Sequence, residues 1–303
     1  MANSKDIKSR INSVQNTKKI TKAMKMVAAA KVKKAESTVK AARPFSDELL
    51  HLFRKMLATV GEYSSHGLKV ERALDNYAEL IKPREVKAEG LLVMTSNKGL
   101  AGSYNANVIK AAFKRIEENK ENGIKTYIYP IGQKAVSVFK HKQCDDFVLK
   151  KGYLAIANNP TATGATLIAE DLAEDFVKGE LDSIDVFTTH FNNMMSYTVV
   201  AWEILPVKVE KATEHELDPL MVLEPSPHAI LQQLVPMYIT NSIYQALLEA
   251  NASELASRMT AMSAASNNAE EMITSLTVEY NKARQWAITQ ELVEIVSGAN
   301  SVN

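Results

Sequence analysis

A long, regular spacing of apolar residues near the C-terminus constrains the fold of this chain more than any other feature. Twelve positions follow one another at alternating intervals of four and three residues, and all but Ser266 are apolar: Leu248, Ala252, Leu255, Met259, Met262, Ser266, Ala269, Ile273, Leu276, Tyr280, Ala283 and Ala287. This spacing buries one narrow stripe of a helix against a second helix, as in a coiled coil. Because no Pro or Gly interrupts residues 237–297, the pattern predicts a helix of about 90 Å at about 1.5 Å per residue.

A second stripe near the N-terminus suggests the partner of this helix. The polar residues 15–19 interrupt the stripe, which indicates a local loosening or a surface for another partner, and Pro44 predicts a kink or an end of the helix. The members of the stripe are Ile7, Ile11, Val14, Met24, Ala28, Val32, Ala35, Val39 and Ala42.

The charges of the two terminal segments favour their pairing. Residues 1–44 hold 12 Lys and Arg against 2 Asp and Glu, whereas residues 237–303 hold 3 basic against 7 acidic residues. Opposite charges attract, although each exposed pair contributes little. A basic helix also fits nucleic-acid binding. We favour pairing, because residues 1–44 lack aromatic residues and carry their own apolar stripe.

The middle of the chain has a different pattern. Ten of the 11 glycines fall between Gly61 and Gly179. Short apolar or β-branched runs alternate there with longer amphipathic stretches, which indicates a Rossmann-like α/β domain with a mainly parallel sheet. The acidic residues of the last stretch (Glu170, Asp171, Glu174 and Asp175) predict a solvated face. We expect strands at 90–95, 126–131, 185–191 and 197–205, and helices at 105–121, 133–140 and 165–178.

These patterns predict three segments. Residues 1–60 form the N-terminal coiled-coil helix, residues 61–226 form a Rossmann-like α/β foot domain, and residues 227–303 form the C-terminal coiled-coil helix. The predicted fold class is therefore α/β with a long coiled coil, in which the α/β domain is inserted between the two terminal helices.

Candidate sites for catalysis or cofactors are few. A glycine-bearing loop at residues 96–103 fits either a phosphate site or a tight strand-to-helix turn. It lacks the third glycine of G-x-G-x-x-G, and no P-loop motif occurs. The six histidines show no metal-binding spacing, and Cys144 lies beside two aspartates that disfavour a reactive thiolate. We therefore expect no catalytic residue, no cofactor and no metal.

The end of the C-terminal helix differs from the rest of the stripe. After Ala287 the apolar residues point to more than one side of the helix, and the N-terminal helix can cover only one side. We expect a collar of partner subunits to enclose this tip. Its apolar residues are Trp286, Ile288, Leu292, Val293, Ile295 and Val296.

Targeting and membrane signals are also absent from the sequence. No run of 18 apolar residues occurs, and the N-terminus has no apolar signal region. We expect the cytosol, or a membrane face that looks onto it.

Three blocks of sequence resemble the gamma subunit of F-type ATP synthases of the bacterial type. Residues 11–31 (INSVQNTKKITKAMKMVAAAK) resemble the opening of that family, and residues 279–298 (EYNKARQWAITQELVEIVSG) resemble its ending. The loop SNKGLAGSYN at residues 96–105 is similar to a third signature of the family.

The resemblance implies a central rotor shaft that is not itself catalytic. The terminal helices of this family form an antiparallel coiled coil inside a ring of alternating alpha and beta subunits. The α/β domain binds the epsilon subunit and sits on the membrane rotor ring of c subunits. Rotation couples ion translocation to ATP synthesis or hydrolysis at the beta subunits. The implied location is peripheral, at the cytoplasmic face of the bacterial cell membrane.

The resemblance also implies contact residues. Arg284, Gln285, Thr289 and Glu291 match positions that meet the beta-subunit loops, and Met24 matches a bearing-like contact on the opposing helix. The chain departs from many relatives at Ala101, where cysteine is common, and at Trp286, where a small residue is usual. The insert with paired cysteines found in chloroplast-type relatives is absent, so thiol control is not expected.

Overall fold

The computed structural model describes residues 4–60, 73–142, 145–207, 224 and 226–302. The chain forms two compact units. The first consists of Met1–Ala30 with Arg258–Asn303, and the second is Lys31–Ser257. The three-segment division made from the sequence stays a prediction. Cys144 lies outside the described residues.

Two long helices and a five-stranded sheet make up most of the described chain. None of the described helices is long and apolar enough to span a membrane. In chain order the elements are helix α1 (Ser4–Val60), a 3-10 turn (Ala73–Asp75), α2 (Tyr77–Ile81), β1 (Ala88–Met94), α3 (Tyr104–Glu121), β2 (Lys125–Ile131), α4 (Gln133–His141), β3 (Phe147–Leu149), α5 (Ala162–Val177), β4 (Ser183–Asn193), β5 (Ser196–Leu205) and α6 (Pro227–Val302).

Helix α1 continues through Pro44 to Val60, so Pro44 does not end it. Proline removes one backbone hydrogen bond from a helix and strains the preceding turn. Buried side chains on both sides of it, Val39 and Leu49, anchor the helix to its neighbours. This packing outweighs the lost hydrogen bond.

In the first unit, helix α6 buries the stripe that the sequence predicts. Between residues 267 and 297 only the stripe positions are buried or half-buried, and all the others are exposed. They are Ala269, Ile273, Leu276, Tyr280, Ala283 and Ala287. The stripe prediction is therefore confirmed for this part of the helix.

The stripe on α1 does not break at residues 15–19, contrary to the expectation from the sequence. Lys18 is half-buried and Thr21 is buried, so polar residues continue the stripe between Val14 and Met24. The Thr21 hydroxyl donates to the Lys18 carbonyl at 3.1 Å, and the Lys18 ammonium lies 2.9 Å from a Glu270 carboxylate oxygen. Both polar side chains thus find partners within the unit, and the helix needs no loosening.

In the second unit, α1 and α6 run antiparallel. Arg43 Nε lies 3.2 Å from Glu249 Oε1. Asn241 donates to the Ser46 hydroxyl at 2.9 Å, and the ring of Phe53 stacks on Tyr238 with centroids 5.2 Å apart. In these contacts the residue numbers decrease along α6 as they increase along α1, as in an antiparallel pair. The predicted fold class, α/β with a long antiparallel coiled coil, is confirmed.

The sheet of the second unit has the strand order β3-β2-β1-β4-β5. All neighbours are parallel except β4 and β5, which form an antiparallel hairpin. The four predicted strands and three predicted helices are all present. Strand β3 and helix α2, which have only three and five residues, were not predicted from the sequence.

Helices cover both faces of this sheet, which explains why β1 has no polar alternation. Leu91 and Val93 point to a cluster with α3 and α4. Leu92 and Met94 point to the opposite cluster, which contains α5 and parts of α1 and α6. Each such fully buried side chain contributes about 1.5–3 kcal/mol.

The acidic side of α5 is only partly the solvated face that the sequence predicted. Asp171 accepts a hydrogen bond from the Tyr153 hydroxyl at 2.6 Å, and Asp175 accepts one from the Tyr129 hydroxyl. Burial, followed by these carboxylates, raises the pKa of both tyrosines. The two aspartates therefore hold α5 to the sheet.

Candidate partner interface

The site residues predicted from the sequence all lie in the first unit. On α6 they are exposed: Arg284, Gln285, Thr289 and Glu291. The Thr289 hydroxyl donates to the Gln285 carbonyl at 2.9 Å, as threonine often does within a helix. Met24 is half-buried on α1.

The tip of α6 carries an exposed apolar surface. Trp286 is 53% exposed and Ile295 is 67% exposed, and four further apolar side chains are exposed to a similar degree. At about 100° per residue these side chains spread around the helix on every side except the one that carries the buried stripe. They are Trp286, Ile288, Leu292, Val293, Ile295 and Val296.

A second exposed apolar group lies beside Met24 on α1. It consists of Ile20, Met26 and Val27, each more than half exposed. This group was not predicted from the sequence, because its members lie off the stripe. The sequence did contain a signal for this group, because apolar residues that lie off a coiled-coil stripe have no intramolecular partner in a two-helix arrangement.

These two surfaces together have the features of a protein interface. Contiguous exposed apolar residues bounded by charged residues mark interaction sites in proteins. Exposed lysines surround the α1 group, among them Lys19, Lys22 and Lys25. Among the described residues, no carboxylate pairs with the Arg284 guanidinium, so its donors face solvent and are available to a partner. Arginine donors of this kind form strong hydrogen bonds to carboxylates and carbonyls.

The loop at residues 96–103 is engaged inside the second unit. The Asn97 amide donates to the Leu154 carbonyl at 2.7 Å, and its oxygen accepts from the Gln133 backbone at 2.8 Å. The Ser257 hydroxyl of α6 donates to the Ala101 carbonyl at 2.6 Å. Leu100 and Gly102 adopt positive φ values of 63° and 55°. This geometry favours the tight-turn interpretation, with α6 held against the turn.

Two polar clusters in the second unit were not predicted. In one, the buried Glu89 accepts one hydrogen bond from Arg115 Nε, shared between its two carboxylate oxygens, and another from Arg115 Nη2, with Asp185 nearby. In the other, Glu249 of α6 contacts both α1 and β4. Among the described residues, no group of three or more His, Cys, Asp and Glu is arranged to hold a metal ion.

Comparison with known proteins decides the family. A family model described as ATP synthase matches residues 3–302. The ATP synthase gamma chain of Picosynechococcus sp. is 40% identical over 328 aligned positions and is covered completely, as is this chain. The gamma chain of Geobacter metallireducens is 38% identical over 302 positions, which cover 100% of this chain and 99% of that one. The chain belongs to the ATP synthase gamma-chain family.

Solved structures agree with this family. A chain from the central stalk and c-ring of the Tetrahymena thermophila mitochondrial ATP synthase is 28% identical, with a TM-score of 0.58. The match covers 82% of this chain and 99% of that one. A chain from the Euglena gracilis mitochondrial ATP synthase is 18% identical with a TM-score of 0.67, covering 99% and 94%, and shows the shared fold. This fold is thus shared with chains of mitochondrial ATP synthases at low sequence identity.

Proposed function

We propose that this gamma chain is the central rotor shaft of an F-type ATP synthase. In this proposal it couples ion translocation through the membrane sector to ATP synthesis or hydrolysis at the beta subunits by rotation, and it has no catalytic site. The observation that carries the proposal is the exposed apolar tip of α6, which begins where the buried stripe ends. A soluble helix end with this much apolar surface needs an enclosing partner.

Membership of the family supports the following partners. The ring of alpha and beta subunits encloses the coiled-coil tip, whereas the α/β domain binds the epsilon subunit and the c subunits of the membrane rotor ring. The chain is then peripheral at the cytoplasmic face of the bacterial cell membrane. We therefore assign the exposed surfaces to protein partners and not to nucleic acid.

The contact residues have distinct roles in this proposal. Arg284 and Gln285 donate hydrogen bonds to the beta-subunit loops, and Thr289 and Glu291 complete the same contact. Met24 forms a bearing-like contact from α1, where its flexible side chain allows sliding. All five side chains are in the unit that carries the exposed apolar surfaces.

The double variant Arg284→Ala with Gln285→Ala tests this proposal. We expect it to impair the ATPase activity or the coupling of a complex reconstituted with alpha, beta and epsilon subunits. The melting temperature of the isolated chain should stay unchanged, because both side chains are exposed.

A matched control replaces two exposed residues of α3, Lys110→Ala with Glu117→Ala. The control complex should keep full activity. Unchanged activity in the Arg284 and Gln285 variant would argue against these contacts. ATP turnover by the purified chain alone, in proportion to its concentration, would contradict the non-catalytic role.

A further inference from the structure

The polar cluster around Glu249 lies where the sheet meets both long helices. Glu249 is on α6 and is 7% exposed. Its Oε1 accepts from Arg43 Nε of α1 at 3.2 Å and from Gln245 Nε2 at 2.9 Å. Its Oε2 accepts from the Phe191 backbone of β4 at 3.2 Å and lies 2.5 Å from His190 Nδ1. One buried carboxylate therefore joins three elements.

Arg43 closes the same cluster from the other side. Its Nη2 donates to the Phe191 carbonyl at 2.8 Å. Both backbone groups of Phe191 thus bond to the helices, the N–H to α6 and the carbonyl to α1. The pairing of β4 with β5 shifts register just after this residue, between Phe191 and Asn193. Such bulges redirect backbone and side-chain groups at the ends of strands.

Apolar packing surrounds these hydrogen bonds but does not replace them. The Phe191 ring is buried among Val32 and Val39 of α1 and Leu248 and Ala252 of α6. Apolar contacts are non-directional, so they resist separation of the surfaces better than they resist sliding. Hydrogen bonds to a buried carboxylate have preferred angles and lengths, and they fix the rotation of β4 about the helices.

We propose that Glu249 is a positioning residue that transmits torque between the α/β domain and the coiled coil. The inference rests on the proposed rotor function. The helices α1 and α6 both continue from the second unit into the first. A torque applied to the α/β domain passes into these two helices, and Glu249 with Arg43 is the polar joint at that point.

The test replaces Glu249 with Gln in the assembled complex in membrane vesicles. The Gln side chain has the same shape, but an NH2 group replaces one of the two carboxylate oxygens. This group faces hydrogen-bond donors and cannot accept from them. We measure ATP hydrolysis and ATP-driven pumping of the coupling ion, with dyes for both pH and Na⁺. The pumping-to-hydrolysis ratio should fall by a factor of about two or more, while hydrolysis continues.

Two further variants separate torque transmission from general stability. Val39→Ala weakens the same cluster through packing alone, because Val39 is 1% exposed and has no polar group. It should lower the melting temperature yet keep the wild-type ratio. Arg43→Met keeps the carboxylate and its other three contacts, and it should lower the ratio as Glu249→Gln does. If the Glu249→Gln variant does not assemble, the pumping-to-hydrolysis ratio of Arg43→Met decides the test.

The outcomes distinguish the torque-transmitting role of Glu249 from the rotor function itself. A wild-type pumping-to-hydrolysis ratio in the Glu249 and Arg43 variants would overturn the role of Glu249 in torque transmission and leave the rotor function intact. An equal loss of this ratio in Val39→Ala at matched melting temperature would do the same. If a complex without this chain pumps ions as well as the complete one, the rotor function itself fails.

Discussion

Replacing Asp185 with Asn is expected to stabilise the α/β domain at neutral pH and to change little near pH 4. The Asp185 side chain on β4 is only 14% exposed. Burial, followed by the negative charge of Glu89, raises its pKa from 3.8 to about 7. Arg115 opposes this shift, but its guanidinium is already bonded to Glu89 at 2.7 Å and lies 3.5 Å from Asp185.

The sign and the pH window follow from these pKa values. Between about pH 4 and pH 7 the folded protein holds a proton on Asp185 that the unfolded chain has released. The contribution of Asp185 to stability therefore falls as the pH rises through this window and is constant above it. The asparagine amide, like the protonated acid, is neutral at every pH. Its advantage above pH 7 is between about 1 and 4 kcal/mol, the upper value corresponding to the whole shift.

The assay is urea unfolding of the isolated chain at about pH 4.5 and about pH 8. The fluorescence of Trp202 on β5 reports on the unfolding of the sheet. All variants carry Trp286→Phe, which removes the only other tryptophan of the sequence. Glu117→Gln on the exposed side of α3 is the control for removing a charge, and it should stay within about 0.5 kcal/mol. An advantage that is the same at both pH values, or a loss of stability at pH 8, refutes the reasoning.

Two further substitutions test other contacts. Ser257→Ala removes the 2.6 Å hydrogen bond to the buried Ala101 carbonyl, so urea unfolding should show a loss of about 1–3 kcal/mol; no loss would mean that the turn does not depend on α6. Trp286→Ala should leave the unfolding free energy of the isolated chain within about 0.5 kcal/mol, because Trp286 is 53% exposed. Calorimetric titration of the alpha–beta ring should then show weaker binding, and equal binding would place Trp286 outside the interface.

The parts of the fold that depend on periodicity could be predicted from the sequence. The spacing from Ala269 to Ala287 gives the buried side of α6, since in this unit only one helix lies against it. The continuous apolar run of β1 also identified a strand covered on both faces. Long, repeated patterns leave few alternative structures.

Contacts between distant polar residues could not be predicted in the same way. Glu249 has the same local pattern as an exposed helical glutamate, and only the tertiary fold brings Arg43 and Phe191 to it. Lys18 and Thr21 look like an interruption of the stripe, because the sequence does not show that Glu270 lies opposite. From the sequence the Asp171 and Asp175 carboxylates look solvated, but in the fold Tyr153, beside the sheet, and Tyr129, on β2, donate hydrogen bonds to them.

The candidate interface was predicted only in part. The apolar residues after Ala287 gave the tip of α6, because they depart from the stripe in the linear sequence. Ile20, Met26 and Val27 were missed, since they lie off the apolar stripe of α1. Their exposure becomes evident once the burial of the α1 stripe is known.

The central claim, that this gamma chain rotates inside a ring of alpha and beta subunits, is tested most directly by observing single complexes. The ring is fixed to a surface, and a probe is attached at Met195→Cys in the β4–β5 turn, where Met195 is 84% exposed. Cys144 is replaced by Ser so that the label is unique. The account predicts continuous rotation of the probe in one direction when ATP is added. Hydrolysis of ATP by complexes whose probe shows no net rotation would contradict it.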